Sequence, residues 1–238
     1  MRQILAIGTR ELRSYFYSPA GYIIITLFLV FAGFLFANGV MVQGQPASLR
    51  IVFDLITLAL FVLCPAIAMR TISEELRTGT FEVLMTAPVS ETTVILGKFF
   101  GSALFLLLML APTTLYIVAL EMYGRPDYGE ILCGYLGVVL AGAVYLAGGI
   151  LASTLSSSQV LALLLSWFFW AGVVLGTRLL PSQLDEPWAD ILIALNPDLR
   201  LDDFAIGLVD TSNVVYFLSL TVLFLVAAVK SLQVRRLR

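Results

Sequence analysis

Apolar residues in this chain come in long unbroken runs. They show neither the alternation of a half-buried strand nor the narrow stripe of a water-soluble helix. Six runs, 22–42, 51–69, 99–120, 131–155, 160–180 and 214–232, are each long enough to cross a hydrocarbon core about 30 Å thick. The pattern predicts an all-α integral membrane protein with six transmembrane helices. Pro112 is expected to kink the third. The boundary between the fourth and fifth runs is Ser156-Ser157-Ser158, with Ser156 and Gln159 spaced as a capping box. A hairpin is needed there, because 131–180 as one helix would measure about 75 Å. A short turn is expected at 43–46, and Lys230 can snorkel out of the last span.

Residues 1–18, ahead of Pro19, are patterned differently. On a helical wheel Met1, Ile4, Leu5, Leu12, Tyr15 and Phe16 share one face. Arg2, Gln3, Arg10, Arg13 and Ser14 take the other, with Ile7 and Glu11 off-pattern at the boundary. This segment reads as an amphipathic interfacial helix in the headgroup plane. The alternative is a basic tail that only sets topology.

Composition narrows the class further. Of 238 residues, 60% are apolar and 13% charged, a balance suited to lipid rather than water. Six spans nearly exhaust the length, so 1–238 is expected to be a single transmembrane domain. Histidine is absent, which removes the commonest general base and metal ligand. Cys64 and Cys133 are expected near opposite faces of the bilayer, as small apolar fillers. The first twenty residues lack the apolar stretch of a cleavable signal peptide. With both termini cytoplasmic, the inner segments hold ten basic residues and the outer segments four: Arg50, Arg125, Arg178 and Arg200. That asymmetry sets the orientation in a cell (inner, cytoplasmic) membrane.

The polar segment 70–98, on the cytoplasmic side, reads RTISEELRTGTFEVLMTAPVSETTVILGK. Ser73 to Arg77 can extend span two, Gly79 permits a reversal, and Thr80 can cap a new short helix. Glu82 suits the first turn of that helix. Phe81, Leu84 and Met85 make one apolar face, and Pro88 ends it. Two readings stay open from the residues alone. Such a helix can insert into a groove of a soluble partner, or lie on the membrane surface.

The same stretch closely resembles the cytoplasmic loop of type 2 ABC exporter permeases. The shared elements are Glu74, Glu75, Gly79, Thr80, the run Phe81 to Met85, Thr86, Pro88, Val89, Ser90, Gly97 and Lys98. The resemblance implies that 81–87 is a coupling helix docking on a separate P-loop ATP-binding subunit, with Glu74, Glu75 and Arg77 as its polar rim. Docking residues are then Glu74, Glu75, Arg77, Gly79, Thr80, Phe81, Glu82, Leu84, Met85, Thr86 and Pro88. It also implies short re-entrant helices in the extracytoplasmic connector 181–213, split by Asn196-Pro197. A working unit of two permeases follows too, as homodimer or heterodimer, exporting its substrate. The run Arg10 to Pro19 and the stretch Asn196 to Phe217 are similar to gliding-motility and nitrous-oxide-reductase-maturation permeases. Those subgroups imply an accessory membrane protein.

No cofactor is expected on this chain, since it has no G-x-x-x-x-G-K-[ST]; ATP and Mg belong to the partner. No catalytic or metal site and no nucleic-acid partner are expected. Gly97-Lys98 reads as a lysine at the membrane interface. Asp54, one helical turn after Arg50, reads chiefly as a structural ion pair, the other reading being a functional intramembrane acid. Glu121 and Arg178 read as interface anchors. Gly142, Gly148, Gly149 and Gly172 allow close helix packing, a dimer seam included. Trp167 to Trp170 line a hydrophobic path or face lipid. Scarce intramembrane charge favours a hydrophobic or amphipathic substrate. An ion-coupled secondary transporter, an intramembrane enzyme and a membrane scaffold are the competing classes.

Overall fold

The computed structural model describes residues 2–40, 48–80, 89–124 and 126–236, and these are helical, with no strand among them. Helix α1 spans Arg2–Tyr17, α2 Pro19–Gly39, α3 Arg50–Ala68, α4 Ser73–Thr78 and α5 Glu91–Leu110. After a 3-10 turn at Ala111–Thr114 come α6 Leu115–Tyr123, α7 Tyr128–Leu155 and α8 Gln159–Leu179. The connector holds a 3-10 turn, Pro181–Gln183, then α9 Trp188–Ala194 and α10 Pro197–Ala205, before α11 Thr211–Arg236. Six helical stretches are long and apolar enough to cross a membrane, in the order expected from the runs.

Proline and serine chemistry explains most of the boundaries. Pro19 sits in the first turn of α2, where its missing N–H costs nothing, and Ser18 accepts from Ala20 N–H. Pro112 lies in a four-residue 3-10 turn between α5 and α6, within one helical span. Span three also begins earlier than its apolar run, because Ser90 caps α5 by accepting from Thr93 N–H. In the hairpin after α7 the cap is Ser158, accepting from Leu161 N–H, rather than Ser156. Ser156 instead stabilises the turn by accepting from Ser158 N–H.

Helix α7 is the axis of the packing and touches α3, α5, α8, α10 and α11. Its small residues make those approaches close. A Cβ on Gly142 would lie 2.5 Å from Leu106, on Gly148 2.9 Å from Trp170, and on Gly149 2.6 Å from Ala68. Three of the four glycines weighed for a dimer seam are therefore occupied within the chain; Gly172 alone has nothing within 4 Å. Helices α2 and α8 lie outside and expose apolar side chains such as Leu27, Phe34, Leu161 and Phe168. In the aromatic run on α8, Trp170 is buried against Tyr145 and Phe224, while Trp167 donates to the Val62 carbonyl. Cys64 is buried and Cys133 half-buried, both free.

Candidate functional site

The described part of the polar segment is built on two supports. Helix α3 ends at Ala68, and a turn delivers the chain to α4. On α7, the Ser153 hydroxyl accepts from the backbone N–H groups of Ile72 (2.9 Å) and Ser73 (3.0 Å). Two donors at the start of α4 are thus satisfied by a buried side chain from a different span. The far end of α4 stops at Gly79, whose φ of 71° lies in the left-handed region. Thr78 donates to the Glu74 carbonyl, and the Thr78 and Thr80 hydroxyls lie 2.9 Å apart.

The charges on α4 divide into two sets. Glu74 is half-exposed and pairs with Arg70 (3.6 Å) and Arg77 (3.7 Å), both on its own side of the turn. Glu75 points the other way, into the protein, and contacts the Lys98 ammonium at 2.9 Å. Lys98 is 3% exposed. It also pairs with Glu11 of α1 at 3.3 Å and donates to the Thr71 carbonyl. Its three N–H donors therefore reach three acceptors on α1, α4 and the turn between α3 and α4. Lys98, expected as a lysine at the membrane interface, is thus buried in a charge cluster, and Glu75 points toward it.

Two carboxylates meet one ammonium, and Glu75 Oε2 is buried without a hydrogen-bond partner among the described residues. Burial pushes the Glu11 carboxyl above its ordinary range; Lys98 opposes that and the neighbouring Glu75 reinforces it. Beside them the Tyr15 hydroxyl donates to the Ile67 carbonyl at 3.1 Å and lies 3.0 Å from Ser102 Oγ, joining α1 to α3 and α5. Burial, with the Glu11 charge next, holds that phenol well above its usual range.

Helix α1 reaches Lys98 because α5 presents glycine at Gly97 and Gly101. A Cβ on Gly101 would sit 2.7 Å from the Gly8 carbonyl and from Glu11 Cβ; one on Gly97 would sit 2.7 Å from Ile7. Backbone therefore meets backbone, and Glu11, off-pattern on the wheel, is the residue this crossing places over Lys98. Gly97 and Gly101 have a small-xxx-small spacing that the sequence reading passed over, and their partner Gly8 is identified only by the fold.

Of the docking residues named from the sequence, Glu74, Glu75, Arg77, Gly79 and Thr80 are placed as described above. Phe81, Glu82, Leu84, Met85, Thr86 and Pro88 lie outside the described residues. At the other end of the bundle, Arg178 is not a lone anchor: it pairs with Asp198 of α10 at 2.6 Å. Asp54 makes no ion pair with Arg50 among the described residues, and instead borders a cavity shared with that pair. The chain matches the model for the ABC-2 family transporter proteins over residues 9–229. No curated relative matches it.

Proposed function

Since the chain belongs to the ABC-2 family of transporter proteins, and is thus a multi-pass membrane permease of an ABC transporter, we propose that segment 70–98 is where its ATP-binding subunit docks. The observation that carries this reading is the build of the segment's base. Helix α4 is held by Ser153 and Lys98, both on membrane-spanning helices, yet ends at Gly79 and Thr80 with exposed groups. A push on the segment is thereby delivered to α3, α5 and α7 together. In this account residues 81–87 enter the partner's cleft, with Glu74, Arg77, Gly79 and Thr80 beside them. Glu75 acts behind the docking surface, as a strut to Lys98.

The working unit is two permeases and two ATP-binding subunits, with both termini cytoplasmic. Helix α1 lies at the cytoplasmic headgroups and is tied to α5 through the glycine crossing. ATP-driven closure of the partners moves α1, α4 and α5 as one body and switches a path between the two faces. Helices α9 and α10 are re-entrant elements of the outer leaflet, and the cargo is a hydrophobic or amphipathic molecule moved outward. The chain supplies the path; nucleotide chemistry belongs to the partner.

Co-purification tests the docking reading. From native membranes the intact chain should bring down a P-loop ATPase, and a Phe81→Asp, Leu84→Asp double variant should lose it. Equal recovery of the ATPase with both chains would remove the segment from the interface.

A further inference from the structure

A cavity of about 540 Å³ opens at the connector end of the bundle, between α3, α7, α8 and α10. Its walls are of two kinds. Leu58 and Phe61 of α3, and Val174 and Leu175 of α8, form an apolar body; Asp54, Asp198, Asp202 and Arg178 form the rim.

The rim charges do not cancel. Arg178 is engaged by Asp198 at 2.6 Å. Of the other nearby cations, Arg50 lies near enough to act on Asp54 without forming an ion pair with it, and Arg200 faces away from the cavity: it donates to Asn213 and to the Ala194 carbonyl and stacks over Tyr216, 4.4 Å from the ring centre. Helix α10 is therefore sided, with Asp198, Leu201 and Asp202 toward the cavity and Arg200 and Asp203 toward α11. Asp54 and Asp202 are left without a hydrogen bond or ion pair among the described residues. The Asp54 and Asp202 carboxylates, exposed beside an apolar pocket, repel one another, and a cation placed between them relieves that repulsion.

Deeper in, Tyr145 gives an independent sign. It is 3% exposed, lines the cavity, and its hydroxyl has no hydrogen-bond partner among the described residues. Its ring meets Phe61 edge-on at 6.1 Å. Tyr145 opens on the cavity, where a ligand can meet its hydroxyl, and a pair of aromatic rings adds affinity for a positive centre.

We propose that this cavity binds an amphiphile bearing a positively charged headgroup, of the amine or quaternary-onium class. The cation sits beside Asp54 and Asp202 with the Phe61 and Tyr145 rings on its inner side, and the hydrophobic body lies along Leu58, Val174 and Leu175. The inference rests on the permease reading above and gives its cargo a chemical class.

Tetraphenylphosphonium and tetraphenylborate, one shape with opposite charges, test it directly. Saturable binding of each to the full chain in zwitterionic nanodiscs is measured by equilibrium dialysis, with empty discs subtracted. The phosphonium should bind roughly tenfold or more tightly than the borate, as expected for two facing carboxylates. An Asp54→Asn, Asp202→Asn double variant should abolish that preference, and Phe61→Ala should weaken both probes. Equal binding of the two ions by the unaltered chain would overturn the proposal, and that comparison needs no variant to fold. So would a preference that survives the double variant. Neither result touches ATPase docking, which the Phe81→Asp, Leu84→Asp variant tests separately.

Discussion

Lys98 shows how much one side chain can decide. Buried at 3% exposure, it satisfies acceptors from three segments, and replacing it would strand two carboxylates in the interior. Removing one partner of such a cluster costs about 3–5 kcal/mol. Lys98→Met should therefore lower the unfolding free energy of the purified protein by that amount, read from its denaturation curve. Glu74→Gln, which touches only partly exposed partners, should cost about 1 kcal/mol or less. An equal effect of the two would mean that Lys98 is not the keystone described. Glu11 gives the matching pH test. Its folded carboxyl titrates above the ordinary 4.5, so the folded state holds the proton more tightly than the unfolded chain does. Its contribution to stability is complete below that value and falls as pH rises through the elevated titration. Thermal scans across pH should show that decline in the intact chain and a flatter profile in Glu11→Gln. A decline of the same slope in both would assign it to other groups.

Among the helices, the crossing of α1 over α5 is the contact most open to a single change. A side chain at Gly101 would have to displace the Gly8 backbone itself. Gly101→Leu should lift α1 and lengthen a spin-label distance between Thr9 and Phe100, whereas Gly172→Leu, facing open space, should leave that distance unchanged. The contrast also marks what could be read without the fold. The six spans were legible because run length alone separates a membrane helix from a soluble one. Their starts were less so, since Ser90 caps α5 well before the apolar run begins. Gly142, Gly148 and Gly149 were recognisable as packing residues, but their partners Leu106, Trp170 and Ala68 follow only from the tertiary arrangement. The partners of Lys98 were hidden for a related reason. A lysine flanking an apolar run ordinarily snorkels, and the acid that captures it is 87 residues away in sequence.

Over the whole molecule, the two functional ends are built by different rules. At the end carrying α4, opposite charges are buried against one another, which suits a joint that must transmit displacement without coming apart. Around the connector cavity, Asp54 and Asp202 have no ion pair among the described residues and stay reachable, which suits a site that takes a ligand. Helix α7 runs between the two, bearing Ser153 beneath α4 and Tyr145 in the cavity wall. A displacement of the segment 70–98 thus has a continuous packed route to the cavity. Coupling is expected along that route: if an ATP-binding subunit docks on the segment, a cationic amphiphile in the cavity should alter its hydrolysis rate. That rate should change with tetraphenylphosphonium in the assembled transporter and remain constant in the Asp54→Asn, Asp202→Asn variant.

The central claim is the docking of the ATP-binding subunit on the segment that α4 supports, and site-specific photo-crosslinking in native membranes tests it most directly. A photoreactive residue in place of Thr80, exposed just beyond Gly79, should crosslink to a P-loop ATPase, and one in place of Trp188 on α9 should not. An ATPase captured from Trp188 and not from Thr80 would contradict the account, placing the partner at the opposite end of the bundle.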